Sequence, residues 1–139
     1  MVTTFSNMYC SGFNTVEVLP GKDVTLHCPN IPNNAVILFW LRLVNINMVS
    51  CVSVMTGFSS NPSYCDAFKN DSFQMSSNMT TIFLTIKQVD LSDSGLYFCG
   101  FYTSGVLHVS VTHLNVEVNI AVLNIIREPE THVIYAVNR

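Results

Sequence analysis

Charge is scarce in this chain of 139 residues: Asp, Glu, Lys and Arg make up 11% of it, and the formal net charge is only −3. With no Lys/Arg cluster or basic stripe to neutralise phosphates, nucleic acid is excluded as a partner, and attraction to an acidic membrane surface is equally unsupported. No CxxC pair occurs among Cys10, Cys28, Cys51, Cys65 and Cys99, and His27, His108, His113 and His132 form no HxxxH pattern. The ligand spacing of a zinc cage is therefore missing, and neither a metal nor a cofactor is expected. No apolar run approaches the roughly 20 residues that cross a bilayer. The candidate, Ile120 to Ile126, is interrupted by Asn124 and is either an extra strand or the remnant of a longer segment. Met1 to Ser11 lacks the basic start, apolar run and cleavage site of a signal peptide. The chain thus reads as a mature or truncated form, with any membrane attachment in segments absent from it. Helical periodicity is missing as well.

What is present is a large apolar fraction, 49% of residues, enough to bury one core. The length suits one domain. From about Asn14 to Val118, short stretches of β-branched and aromatic residues alternate with Gly, Pro, Asn, Asp and Ser clusters, an all-β pattern. The predicted strands are Thr15–Leu19, Asp23–Cys28, Val36–Leu43, Met48–Val54, Phe73–Ser77, Thr81–Lys87, Gly95–Tyr102 and Leu107–Val118. Turn residues fill the gaps, as at Pro20-Gly21 and Thr103-Ser104-Gly105.

Three positions organise this pattern. Cys28 closes a strand in which Val24, Leu26 and Cys28 share a face, and Trp40 follows inside the apolar run Ile37 to Leu41. Then comes Asp93-Ser94-Gly95-Leu96-Tyr97-Phe98-Cys99, where Asp93, Gly95, Tyr97 and Cys99 alternate with a period of two. This resembles the DxGxYxC signature of immunoglobulin variable-set domains, including fish leukocyte receptors of the novel immune-type receptor kind. The resemblance implies an immunoglobulin V-type, two-sheet Greek-key sandwich over residues 14–118. An N-terminal extension, 1–13, would precede it, and a tail, 119–139, poorly ordered after Arg127, would follow.

The resemblance further implies a Cys28–Cys99 bridge between the sheets, closing a loop of about 70 residues for about 4–5 kcal/mol on the chain-entropy account. Trp40 would pack on that bridge and Tyr97 would form the tyrosine corner. Cys51 and Cys65 are either a second bridge, as in some leukocyte receptors, or two buried thiols. Cys10 is either free or bridged to another chain. Two departures stand out. Ser72 occupies the place of the basic residue that usually pairs with the Asp of the motif, so Arg42, with the strand parity of Trp40, is expected to reach Asp93 or Asp90 instead. The joining motif FGxGT is replaced by Leu107 to Leu114, which argues against a rearranged antigen-receptor chain.

Alternation also marks a surface. If Trp40 and Cys99 point inward, then Phe39, Leu41, Leu43, Phe98, Gly100 and Tyr102 point out of the same sheet, with His108 and Arg42 nearby. An apolar outer face of this kind marks a protein interface, unless the tail, at Ile120 to Ile126, folds back over it. The expected partner is a protein ligand or a second V-type domain, a homodimer included. The loops Asn30 to Asn34, Phe58 to Ser63 and Tyr102 to Val106 are expected to cluster at one end. Asn70-Asp71-Ser72 and Asn78-Met79-Thr80 match the N-glycosylation pattern, whereas Asn61-Pro62-Ser63 is excluded by its proline. The close acidic pair, Asp90 with Asp93, falls in a turn where a structural role is expected, so the chain does not read as an enzyme. The resemblance implies the extracellular ligand-binding ectodomain of an immune cell-surface receptor. The alternative is a homophilic adhesion or co-receptor module dimerising through its apolar sheet.

Overall fold

The computed structural model describes residues 8–118. Nine strands follow in chain order: β1 Met8–Val18, β2 Val24–Cys28, β3 Ile37–Asn45, β4 Met48–Met55 and β5 Ser63–Tyr64, then β6 Phe73–Ser77, β7 Ile82–Ile86, β8 Gly95–Thr103 and β9 Val106–Val116. They form two sheets, one of six strands in the order β1-β9-β8-β3-β4-β5 and one of three in the order β2-β7-β6. The all-β, two-sheet sandwich expected from the sequence is the observed architecture. The proposed cover by Ile120 to Ile126 and the rest of the tail lie outside the described residues, as do the first seven residues of the extension.

Strand positions follow the local chemistry. β2 and β7 alternate buried and open positions, so one face of each meets the core. The β8–β9 hairpin closes through Ser104 (φ 53°) and Gly105 (φ 78°) between the paired Thr103 and Val106. Two consecutive positive φ values give the tight turn whose twist matches the flanking strands. β6 spans the predicted residues, but β1 begins at Met8 and not at Thr15. Its first eight residues are all exposed, so no alternation announces them. The parallel ladder to β9, from Met8 opposite Leu107 to Val18 opposite Val116, holds them in the sheet.

The core lies between the sheets. Leu26, Leu84 and Ile86 from the small sheet meet Leu38, Trp40, Tyr97 and Leu114 from the large one, all fully buried. Cys28 of β2 is bonded to Cys99 of β8, with Cα atoms 6.2 Å apart, and Trp40 stands opposite Cys99 in the β3–β8 ladder. A second bond joins Cys51 of β4 to Cys65, Cα atoms 5.8 Å apart. It depends on a bulge: Trp40 pairs with Ser53 but Leu41 pairs with Cys51, leaving Val52 as the extra residue. Val52 is fully buried. The bulge turns Cys51 to the side of Leu41, where simple alternation would have aligned it with the inward Ser53.

Candidate functional site

The end of the sandwich near the DxGxYxC segment is a rigid corner. Asp90 caps the short 3-10 turn Leu91–Asp93 by accepting from the Ser92 backbone N–H at 3.3 Å and its hydroxyl at 2.6 Å, while Asp93 Oδ2 accepts from the Asp90 N–H at 2.9 Å. The Ser92 hydroxyl, then the Ser92 N–H, hold the Asp90 carboxyl below its ordinary pKa. Both carboxylates thus do structural work in the turn. Tyr97 Oη donates to the Asp93 carbonyl at 2.6 Å. Burial pushes the Tyr97 phenol well above its ordinary value, so at neutral pH it remains a donor.

Arg42 corrects the sequence expectation. It turns toward this corner, but its Nη2 donates to the carbonyls of Ser92 (2.5 Å) and Ser94 (3.0 Å), with no ion pair to Asp93 or Asp90 among the described residues. Both carboxylates are already bound within the turn, and the carbonyls beside them are what the turn presents to the guanidinium carried by β3. Its Cζ lies 5.4 Å from the Tyr97 ring centroid. Gly95, beside Arg42, is required by its backbone and not by space: its φ of +147° favours glycine, whereas a Cβ there would meet Arg42 Nε and Nη2 at an ordinary contact distance of 3.8 Å.

The outer face of the six-stranded sheet is read from its registers. Directly opposed residues share a side, so Leu41, Phe98 and Val111 form one row, and Phe39, Gly100 and Val109 the next. A third row runs Ile37, Tyr102 and Leu107, and a fourth starts from Leu96 opposite His113. No residue in these rows carries a formal charge. Tyr102 is 41% exposed; Leu41, Leu43 and Phe98 are half-buried. Phe39 differs, at 7% exposure. Its ring lies across Gly100, where a Cβ would come within 2.9 Å of Phe39 Cζ and collide with the His108 carbonyl. Phe39 therefore forms the floor of the patch and not its contact surface.

Of the two residues expected near this face, Arg42 turns its guanidinium to the corner but still lines the concavity at the edge of the face, whereas His108 points the other way. His108 pairs with Phe101 and stacks on it, ring centroids 4.5 Å apart and 10° from parallel, on the inner side. There it lines a cavity of about 400 Å³ between β1, β9 and β2, which opens because β1 stays on β9 for its whole length. Sequence reasoning missed two extensions of the apolar face. Val109 and Val111 on β9 continue the rows, and the parity of Leu107-Val109-Val111 carried that signal. Phe13 (67% exposed) and Ile46 (87% exposed) stand at its two sides, bounding a concavity whose lining also includes Leu43 and Leu96. Of the predicted loops, Asn30 to Asn34 is tied to the β8–β9 hairpin, since Thr103 Oγ1 donates to the Asn34 carbonyl at 3.3 Å.

Asn70 and Asn78 are exposed in the turns on either side of β6. Asn70 Oδ1 accepts from the Ser72 N–H at 2.8 Å, and Asn78 Oδ1 from the N–H groups of Thr80 (2.9 Å) and Thr81 (2.8 Å). Cys10 is an exposed thiol on β1.

Inter-sheet bond, buried tryptophan, tyrosine corner and two-sheet order together define a variable-type immunoglobulin sandwich. The immunoglobulin V-set domain family matches residues 14–117, and the chain belongs to that family. Among solved structures it is similar to the extracellular fragment of Novel Immune-Type Receptor 11 from Ictalurus punctatus, including its stalk region. Identity is 27% and the TM-score 0.60, covering 76% of this chain and 85% of that one. It shares its fold with a chain from the structural study of T cell specificity and activation by the bacterial superantigen toxic shock syndrome toxin-1. There identity is 22% and the TM-score 0.65, over 74% of this chain and 92% of the other. No curated protein matches the chain in sequence.

Proposed function

We propose that this chain is the extracellular, ligand-binding module of an immune cell-surface receptor, and that it recognises a protein through the outer face of its six-stranded sheet without catalysing a reaction. The observation that carries this reading is the uncharged apolar surface running over β3, β8 and β9. A lone antiparallel sheet keeps polar residues on its solvent side, and apolar rows of this extent mark an interface. The likeness to a novel immune-type receptor ectodomain supports the receptor assignment. The second reading, homophilic pairing, is favoured by the absence of charge from the rows, so that nothing in them repels a second copy.

Sedimentation at rising concentration, with Leu41→Asp alongside, separates the two readings. A dimer lost in Leu41→Asp assigns the face to a second copy. A monomer throughout assigns it to another protein. In that case binding of a multimerised domain to immune cells should fall about tenfold or more in Leu41→Asp, as at an interface centre, and hold in Gln74→Asp on the opposite sheet. A dimer indifferent to Leu41→Asp, or equal loss of cell binding in both variants, overturns the assignment of the face.

A further inference from the structure

β1 and β9 change character together along their ladder. Residues opposed across it share a side of the sheet, and on the inner side Val18 lies opposite Val116 and Val16 opposite Leu114. Leu114 and Val116 are buried, and Val16 and Val18 pack against the core. Toward the β8–β9 hairpin the next inner pairs are Asn14 with Thr112, Gly12 with Ser110 and Tyr9 with His108. The apolar pairs thus stop at Leu114, and beyond it the lateral cavity of about 400 Å³ opens beside the end of β2. Its volume falls within the range of small-ligand sites, about 300–1,000 Å³.

The polar groups of this cavity are largely unengaged. Thr112 is only 3% exposed, yet its hydroxyl makes no hydrogen bond among the described residues. The same holds for the carboxamides of Asn14 and Asn30, the imidazoles of His27 and His108 and the phenol of Tyr9. Ser11 and Ser110 are bonded to each other, hydroxyl to hydroxyl, at 2.7 Å. Elsewhere the asparagines are occupied: Asn45, Asn70 and Asn78 each accept a backbone N–H of their own turn. A buried hydroxyl left unpaired is costly, so a set of free groups around Thr112 calls for a partner that the chain itself does not supply.

The lining also selects the chemistry of that partner. No Asp, Glu, Lys or Arg lines the cavity, so a charged group would lose hydration and find no counter-ion. Hydroxyl, carboxamide, phenol and neutral imidazole groups each both donate and accept, which suits a ligand whose own groups do both. Sugar hydroxyls have this property, whereas the backbone of an extended peptide fixes its donors and acceptors in order. Phe101 and His108, stacked, with Tyr9 meeting His108 edge-on, add ring surface for the C–H bonds of a sugar ring.

We propose that this cavity binds a neutral saccharide, with Thr112, Asn14 and Asn30 as its hydrogen-bonding residues and Tyr9 and His108 as its ring surface. The site lies on the inner side of the six-stranded sheet, away from the face assigned above to a protein partner. The inference therefore goes beyond that reading and stands without it.

The test is binding of the whole chain to an array of neutral di- to tetrasaccharides of hexoses, N-acetylhexosamines and fucose, with sialylated, sulfated and extended-peptide members as controls. Binding to neutral members is expected. At Gly12 nothing lies within 4 Å of an added Cβ, so Gly12→Leu enters open space and should lower binding about tenfold or more by filling the cavity. Thr112→Val keeps the shape and removes the hydroxyl, and Asn30→Gly removes the carboxamide while keeping the left-handed backbone (φ 66°). Each should weaken binding about threefold to tenfold, as loss of one hydrogen bond does. Leu41→Asp should bind like the wild type, and thermal unfolding of every variant separates lost binding from lost fold. In NMR spectra the ring signals of Tyr9 and His108 should move on saccharide addition while those of His113, on the outer side, stay. Three results overturn the proposal: no neutral saccharide bound, charged or peptide members preferred, or binding that Gly12→Leu and Asn30→Gly leave intact.

Discussion

The two sheets of this sandwich distribute polarity in opposite ways. The three-stranded sheet turns Val24, Leu26, Cys28, Phe73, Met75, Ile82, Leu84 and Ile86 to the core, all buried and apolar. Its outer side carries Thr25, His27, Gln74, Ser76 and Thr85. The one aromatic there, Phe83, is met edge-on by His27 with ring centroids 5.1 Å apart. The six-stranded sheet keeps polar atoms inside: Ser53 and Thr112 are buried, and Trp40 Nε1, Arg42 Nε and Ser53 Oγ have no hydrogen-bond partner among the described residues. Its outer rows are apolar. One sheet ends outward in polar residues; the other ends in apolar rows.

That contrast can be broken from either side. The largest effect belongs to the apolar interior of the small sheet: Leu84→Ala should cost about 2–5 kcal/mol in urea unfolding, as large-to-small core changes do, with association through the far face unchanged. Leu41→Asp should do the reverse, altering association while unfolding free energy stays within about 1 kcal/mol, since the site is half-buried. Tyr97→Phe should cost about 1–3 kcal/mol by removing the donor to the Asp93 carbonyl. Because burial raises the folded-state pKa of Tyr97, the wild type should also lose stability as pH climbs past the ordinary phenol value of 10.0. That alkaline loss should be reduced in Tyr97→Phe. The smallest effect is a gain: Ser53→Ala removes a buried hydroxyl that has no partner among the described residues and should stabilise by about 1 kcal/mol.

The architecture was legible because its markers are local. Cys28, Trp40 and the alternating Asp93, Gly95, Tyr97 and Cys99 require only strand periodicity to be placed on facing sheets, and Gly and Pro clusters delimit most strands. The apolar outer rows were legible for the same reason. What escaped depended on neighbours that a period of two does not describe. β1 from Met8 to Thr15 is held by backbone bonds to β9, so burial leaves no trace in its sequence. The bulge at Val52 shifts parity within β4, and nothing in Met48 to Met55 announces the extra residue. Phe39 has the parity of a surface residue but lies down because its neighbour across the ladder, Gly100, has no side chain. Arg42 has the parity to reach the corner, yet its target depended on the capping turn having already engaged both carboxylates.

The long parallel ladder between β1 and β9 has a mechanical meaning. Met8 lies beside Leu107 and Val18 beside Val116, so the chain enters at one end of the ladder and leaves at the other. A pull between entry and exit slides the two strands past each other, and the load is shared by the bonds along the ladder instead of opening them one at a time. Tension along the chain therefore meets the domain in shear, the direction in which a ladder yields last.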